Sequence, residues 1–97
     1  MATLLIETGK LKGRQLILPE SEKEFMIGRE EGCQIRLAFD DVSPRHCALH
    51  VTAAGTLVRD LGSGKGTFVN GKPISNAVLL APGDVLRIGL LVLRVPS

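Results

Sequence analysis

His46-Cys47-Ala48-Leu49-His50-Val51, followed after a break at Gly55 by Thr56-Leu57-Val58-Arg59-Asp60, is the stretch whose reading decides the fold. In its first half Cys47, Leu49 and Val51 alternate with Ala48 and His50. Successive strand side chains point to opposite faces, so a period of two predicts a strand with one buried and one solvated face. The same logic turns Val58 inward in the second half, with Thr56 and Asp60 shaping its ends.

Outward from there the chain keeps one rhythm, in which short apolar pieces are cut by turn residues at intervals too short for ordinary helices. The predicted strands are Thr3 to Glu7, Arg14 to Leu18, Glu24 to Ile27, Gln34 to Leu37, His46 to Val51, Thr56 to Asp60, Thr67 to Val69, Val78 to Leu80, Val85 to Ile88 and Leu90 to Val95. Gly9 to Gly13, Pro19, Gly32, Gly55, Gly62 to Gly66, Asn70-Gly71, Pro82-Gly83 and Gly89 separate them. Pro19 to Glu31 offers a helix start, with Ser21 as cap and Glu24 three residues on. Yet Phe25-Met26-Ile27 runs straight into Gly28, which inside a helix would cost about 1 kcal/mol, so a strand ending at a loop is the better reading. The prediction is an all-β, two-sheet β-sandwich with its functional loops at one end.

Composition agrees. Of 97 residues 44% are apolar, but with three Phe and neither Trp nor Tyr the core must be Leu, Ile and Val, a mixture that favours strands. The length fits one domain, residues 1–97, standing alone or as part of a larger protein. A chain this short buries about 60% of its unfolded surface and has little room for a deep active site, so function belongs on loops.

Twelve Lys and Arg against ten acids give a net charge of +2 with no block of like charges, and no nucleic-acid partner is expected. No apolar run reaches membrane-spanning length, and no membrane partner is expected either. Cys33 and Cys47 follow no secretion signal and are expected to be reduced thiols in a cytoplasmic protein, unequally buried, with Cys47 in the core. No cofactor and no metal are expected, because no grouping of acid, Cys and His with ligand spacing accompanies His46.

Three loop segments carry the chemistry: Gly28-Arg29, then Ser43-Pro44-Arg45-His46, then Asp60-Leu61-Gly62-Ser63-Gly64-Lys65-Gly66-Thr67 leading to Val69-Asn70-Gly71. Together they offer a guanidinium, a hydroxyl, glycine backbone N–H groups and an ammonium. A phosphate monoester has three strong acceptor oxygens and rewards such a set of charge-assisted donors. Lys65 within glycines looks like a nucleotide-binding P-loop but fails its spacing, since Gly66 separates Lys65 from Thr67 and no helix pattern follows. Ser43 and His46 form no credible hydrolytic pair without a pocket or oxyanion hole, so no catalytic residue is assigned. Asp60 reads as an acceptor for loop N–H groups and not as a general base.

In order and wording these segments resemble the forkhead-associated domain, a phosphothreonine-recognition module. The pieces are Gly28-Arg29, Ser43-x-x-His46, Asp60-Leu61 with Ser63, Gly66-Thr67, Val69 and Asn70-Gly71. The resemblance implies a sandwich of about eleven strands with binding loops at one end and both termini near the other. It implies that Arg29 salt-bridges the phosphate, that Ser43 is a second ligand through its hydroxyl, and that His46, Asn70 and Gly71 brace the loops. The partner implied is a phosphothreonine-containing protein or peptide.

Departures from the family pattern fall at the phosphate itself. Where the family commonly has Ser or Thr followed by Asn, this chain has Gly64 and Lys65, and where a polar residue often follows the serine it has Pro44. Lys65 and Arg45 return charge as auxiliary ligand contacts but not the same geometry. Two readings therefore stand: a phosphothreonine-dependent interaction module, and a scaffold of the same fold that docks an unphosphorylated surface.

Overall fold

In the computed structural model, which describes residues 1–96, the deciding stretch forms a hairpin: β5 (Cys47–Thr52) pairs antiparallel with β6 (Gly55–Asp60). The other strands are β1 (Ala2–Ile6), β2 (Gln15–Leu18), β3 (Phe25–Gly28), β4 (Ile35–Arg36), β7 (Thr67–Val69), β8 (Lys72–Pro73), β9 (Val78–Leu80), β10 (Val85–Ile88) and β11 (Leu91–Arg94). They build a six-stranded sheet in the order β2-β1-β11-β10-β7-β8 and a five-stranded sheet in the order β4-β3-β5-β6-β9. The fold is an all-β sandwich, antiparallel except where β4 runs parallel to β3.

Ten of these strands overlap the predicted segments, with ends shifted by a residue or two. The eleventh, β8, escaped the sequence reading for a physical reason: it is two exposed residues, one of them proline, paired only to β7 at a sheet edge. Pro19 to Glu31 holds no helix. The Ser21 hydroxyl accepts the Lys23 N–H at 3.1 Å, a local turn in place of a cap.

Leu4, Ile27, Leu49, Leu86, Ile88 and Leu93 are fully buried and form the centre of the core between the sheets. The aliphatic core read from composition is thus the one that packs. Strict alternation in β5 is not what packs, however: Ala48 is 1% exposed although it faces away from the core. β5 is the central strand of its sheet, and the small Ala48 side chain sits between Met26 and Arg59 in register. Arg59 is held across it by a two-pronged pair with Glu24, at 2.6 and 2.7 Å.

Strand direction places the loops. Ile27 pairs with Cys47 and Cys47 with Asp60, so the segments leaving β3, entering β5 and leaving β6 meet at the Cys47 end. At the opposite end of β5, the β5–β6 turn shares a hollow with Met1, Val95 and Pro96.

Both cysteines are buried and free, Cys47 fully and Cys33 at 8% exposure. Burial pushes the Cys47 thiol up to about 12, which removes its thiolate and its reactivity. Without reductant, the purified protein is expected to show the mass of two free thiols, and denaturing alkylation should add two labels. A species two mass units lighter that resists labelling would mean a disulfide and refute this.

Candidate functional site

Gly28 closes β3 where no side chain fits: a Cβ there would lie 2.2 Å from the Pro44 carbonyl oxygen. That close approach lets the backbone stitch two loops together. The Arg29 N–H donates to the Ser43 carbonyl at 3.0 Å and the Glu30 N–H to the Pro44 carbonyl at 3.1 Å. The Cys33 thiol donates to the same Pro44 carbonyl at 3.3 Å. Arg29 itself is exposed, and among the described residues its guanidinium enters no ion pair. Arg45 differs, because its charge is engaged with Glu30 at 3.0 Å.

Ser43 is held at two atoms. Its N–H donates to His46 Nδ1 at 3.1 Å, and its Oγ accepts the Gly64 N–H at 3.0 Å. His46 is fully buried and places its Nε2 2.8 Å from the Gly66 carbonyl. A carbonyl only accepts, so Nε2 carries the ring proton and Nδ1 is left to receive the Ser43 amide. One neutral imidazole therefore joins the loop before β5 to the loop before β7. The Ser43 hydroxyl proton has no partner among the described residues and remains available.

Asp60 organises the third loop. Its Oδ2 accepts the N–H groups of Gly62 and Ser63, both at 3.0 Å, while its Oδ1 accepts the hydroxyls of Ser63 at 2.5 Å and Thr67 at 2.7 Å. The Ser63 hydroxyl in turn accepts the Gly66 N–H at 2.9 Å. Partial burial acts to raise the Asp60 pKa, but the hydrogen bonds from Ser63, Thr67 and Gly62 outweigh it and hold the carboxyl below its usual value. A depressed folded-state pKa gives stability that is present above the unfolded value and lost as pH falls through the folded one. Wild type is therefore expected to lose stability below about pH 4, and Asp60→Asn should be less stable at pH 7 by about 1–3 kcal/mol with a gap that narrows toward pH 3. Urea denaturation of both proteins at the two pH values measures this, and a gap independent of pH would contradict it.

Gly64 and Lys65 are exposed at the tip of this loop. The space beside Gly64 is open, since a Cβ there would have Ser43 Oγ as its nearest neighbour at 4.0 Å. Lys65 enters no ion pair among the described residues. Asn70 and Gly71, with φ of 52° and 81°, turn β7 into β8, a two-residue hairpin geometry that Asn-Gly favours. The Asn70 side chain receives the Val85 N–H at 2.9 Å and donates to Asp84 at 3.0 Å. Asn70 thus orders the turn between β9 and β10, Gly71 serves the β7–β8 turn, and none of the Asn70 bonds reaches Arg29, Ser43 or Gly64.

Sequence reasoning did not foresee three supports of the site: the Cys33 thiol, the Pro44 carbonyl and the Arg36 side chain, whose Nε donates to the Arg29 carbonyl at 3.0 Å. Pro44, which departs from the polar residue that often follows the serine, contributes its carbonyl as an acceptor for two groups.

Two sheets packed on an aliphatic core, with cationic and hydroxyl groups gathered on stitched loops at one end, define a loop-based recognition module. The profile of the FHA domain matches residues 25–89, and the chain belongs to the FHA domain family. The FHA domain-containing protein FhaB of Mycobacterium tuberculosis is 34% identical over 86 residues, covering 89% of this chain and 54% of that protein. The glycogen accumulation regulator GarA of Mycolicibacterium smegmatis is 34% identical over 88 residues, 91% of this chain and 54% of that protein. The chain spans about half the length of these curated relatives. A structure from an analysis of phosphothreonine-dependent FHA domain interactions superposes with a TM-score of 0.84 at 35% identity, covering 99% of this chain and 95% of that one. The FhaA FHA domain, crystallised in complex with the intracellular domain of a second protein, gives 0.83 at 36% identity, covering 98% and 99%.

Proposed function

We propose that this FHA domain is a phosphothreonine-dependent interaction module that docks onto a phosphorylated segment of a partner protein. The observation that carries the reading is the pairing of an exposed, unengaged Arg29 guanidinium with Ser43, whose backbone N–H is held by buried His46 and whose hydroxyl proton is free among the described residues. Arg29 forms the ion pair with the phosphate, and Ser43 donates its free hydroxyl proton. Gly64, opposite Ser43, borders the same oxygens, and Lys65 adds a mobile positive charge. The relative studied for phosphothreonine-dependent interactions, at 35% identity, supports the same ligand class.

The reading extends to setting. The domain acts as one binding unit, 1–97, needs no cofactor or metal, performs no catalysis, and engages neither nucleic acid nor membrane. Its two free thiols suit a reducing, cytoplasmic environment.

The phosphate-independent alternative draws on one observation: Gly64 brings no hydroxyl and Lys65 no amide. Titration with one threonine peptide in phosphorylated and unphosphorylated form separates the two readings, and equal affinity for both forms would sink the first. The same assay tests the open space at Gly64. Gly64→Ser with Lys65→Asn is expected to tighten phosphothreonine binding by about 1–3 kcal/mol. Lys65 contributes long-range attraction, so its loss offsets part of the gain at low salt and less at high salt. No gain at either salt concentration would refute the open-space argument.

A further inference from the structure

Arg36 is the last residue of β4, a two-residue edge strand that runs parallel to β3 with Arg36 in register with Gly28. That register sets it beside Arg29, whose carbonyl accepts its Nε–H at 3.0 Å. On the other side, the Arg29 N–H is fixed by the Ser43 carbonyl at 3.0 Å. The two peptide groups that flank the Arg29 Cα are therefore both held, one by the loop carrying Ser43 and one by a side chain. Arg36 is exposed and has no ion pair among the described residues, and with Arg29 it borders an open hollow that Glu31 and Pro44 also line. Glu30 lines it too, but is engaged with Arg45.

We infer that Arg36 is a positioning residue of the phosphate site, which fixes the Arg29 carbonyl and hence the direction in which the Arg29 guanidinium leaves its loop. This rests on the proposed role of Arg29. An exposed arginine without a partner samples many rotamers, and closing it on a phosphate loses that freedom; a backbone held on both sides removes the part that comes from movement of the Cα–Cβ bond. Lysine cannot stand in at position 36. It keeps the charge but has no planar fork with an inner N–H to meet the carbonyl from the same direction.

The test uses the whole chain and the tightest-binding member of a degenerate phosphothreonine peptide library, with its unphosphorylated counterpart, at low and high salt. Wild type, Arg36→Ala, Arg36→Lys, Arg29→Lys and the double variant Arg29→Lys/Arg36→Ala are titrated, with folding followed by urea denaturation. Arg36→Ala is expected to weaken the phosphopeptide about five- to tenfold with its denaturation midpoint unchanged. Arg36→Lys should recover only the part that salt screens, and the Arg36→Ala loss should shrink when position 29 is already lysine. Full rescue by lysine, or an undiminished loss in the Arg29→Lys background, would make Arg36 a surface charge and overturn the inference. A phosphate-dependent wild type with a neutral Arg36→Ala would overturn it alone, whereas a wild type indifferent to phosphate would take the function proposed for Arg29 down first.

Discussion

Arg29→Ala is expected to weaken binding of a phosphothreonine peptide by about 2–5 kcal/mol, which would take a micromolar complex to a Kd between about 30 μM and 5 mM. The size follows from charge. A phosphothreonine carries close to two negative charges at neutral pH, and each one desolvated on binding needs a fixed positive partner. Arg29 is the candidate because Arg45 is engaged with Glu30, the Arg36 Nε is committed to the Arg29 carbonyl, and Lys65 is an exposed ammonium on a glycine-rich tip. Ser43→Ala should cost less, roughly 1 kcal/mol, because it removes one neutral hydroxyl donor. It also frees the Gly64 N–H, which has Ser43 Oγ as its acceptor. Both variants should fold as wild type does, since neither side chain belongs to the core. Calorimetric titration measures the order of the two effects. An Arg29→Ala protein with wild-type affinity would remove the phosphate from this end of the sandwich.

Most of the fold was legible because each strand announces itself locally. β5 and β6 were read from the spacing of Leu49, Val51 and Val58, all of which are buried. β8 gave no such signal, because an exposed Lys-Pro pair at an edge buries nothing that a sequence pattern can register. The site was legible to the extent that its groups are unusual on loops: an arginine after glycine, and a serine three residues before a histidine. Its supports were not. A thiol donating to a carbonyl, an arginine holding the backbone of another arginine, and a glycine that is required by a neighbour 2.2 Å from its absent Cβ are all relations between distant segments. Such relations appear only once β3, β4 and β5 are paired. The same holds for Ala48, which is buried on the central strand between Met26 and Arg59 in register, a placement its own pattern does not announce.

His46→Ala is expected to lower stability by about 3 kcal/mol and to weaken phosphopeptide binding in the same protein. The imidazole is fully buried and satisfies two backbone groups at once, the Ser43 N–H and the Gly66 carbonyl. Alanine leaves both without a partner and opens a void the size of the ring, and each of these carries its own penalty. The binding loss follows from the first effect, because the ring ties the Ser43 N–H to the Gly66 carbonyl and leaves, once removed, only the Gly64 N–H to Ser43 Oγ bond between the two loops, and a loop released there must be ordered again by the ligand. Truncating His46 should therefore move two observables that a surface ligand contact would not move together. Chemical denaturation should shift to lower denaturant, and the Ser43 amide, bonded to His46 Nδ1 and expected to exchange slowly in wild type, should exchange quickly in the variant while amides in the centre of β5 fall only with global stability. Arg29→Ala should change neither. The decisive comparison is the pair of variants in one set of titrations and exchange measurements: a His46→Ala protein that keeps full stability and Ser43 protection yet loses binding would place the ring on the ligand and not behind the loop.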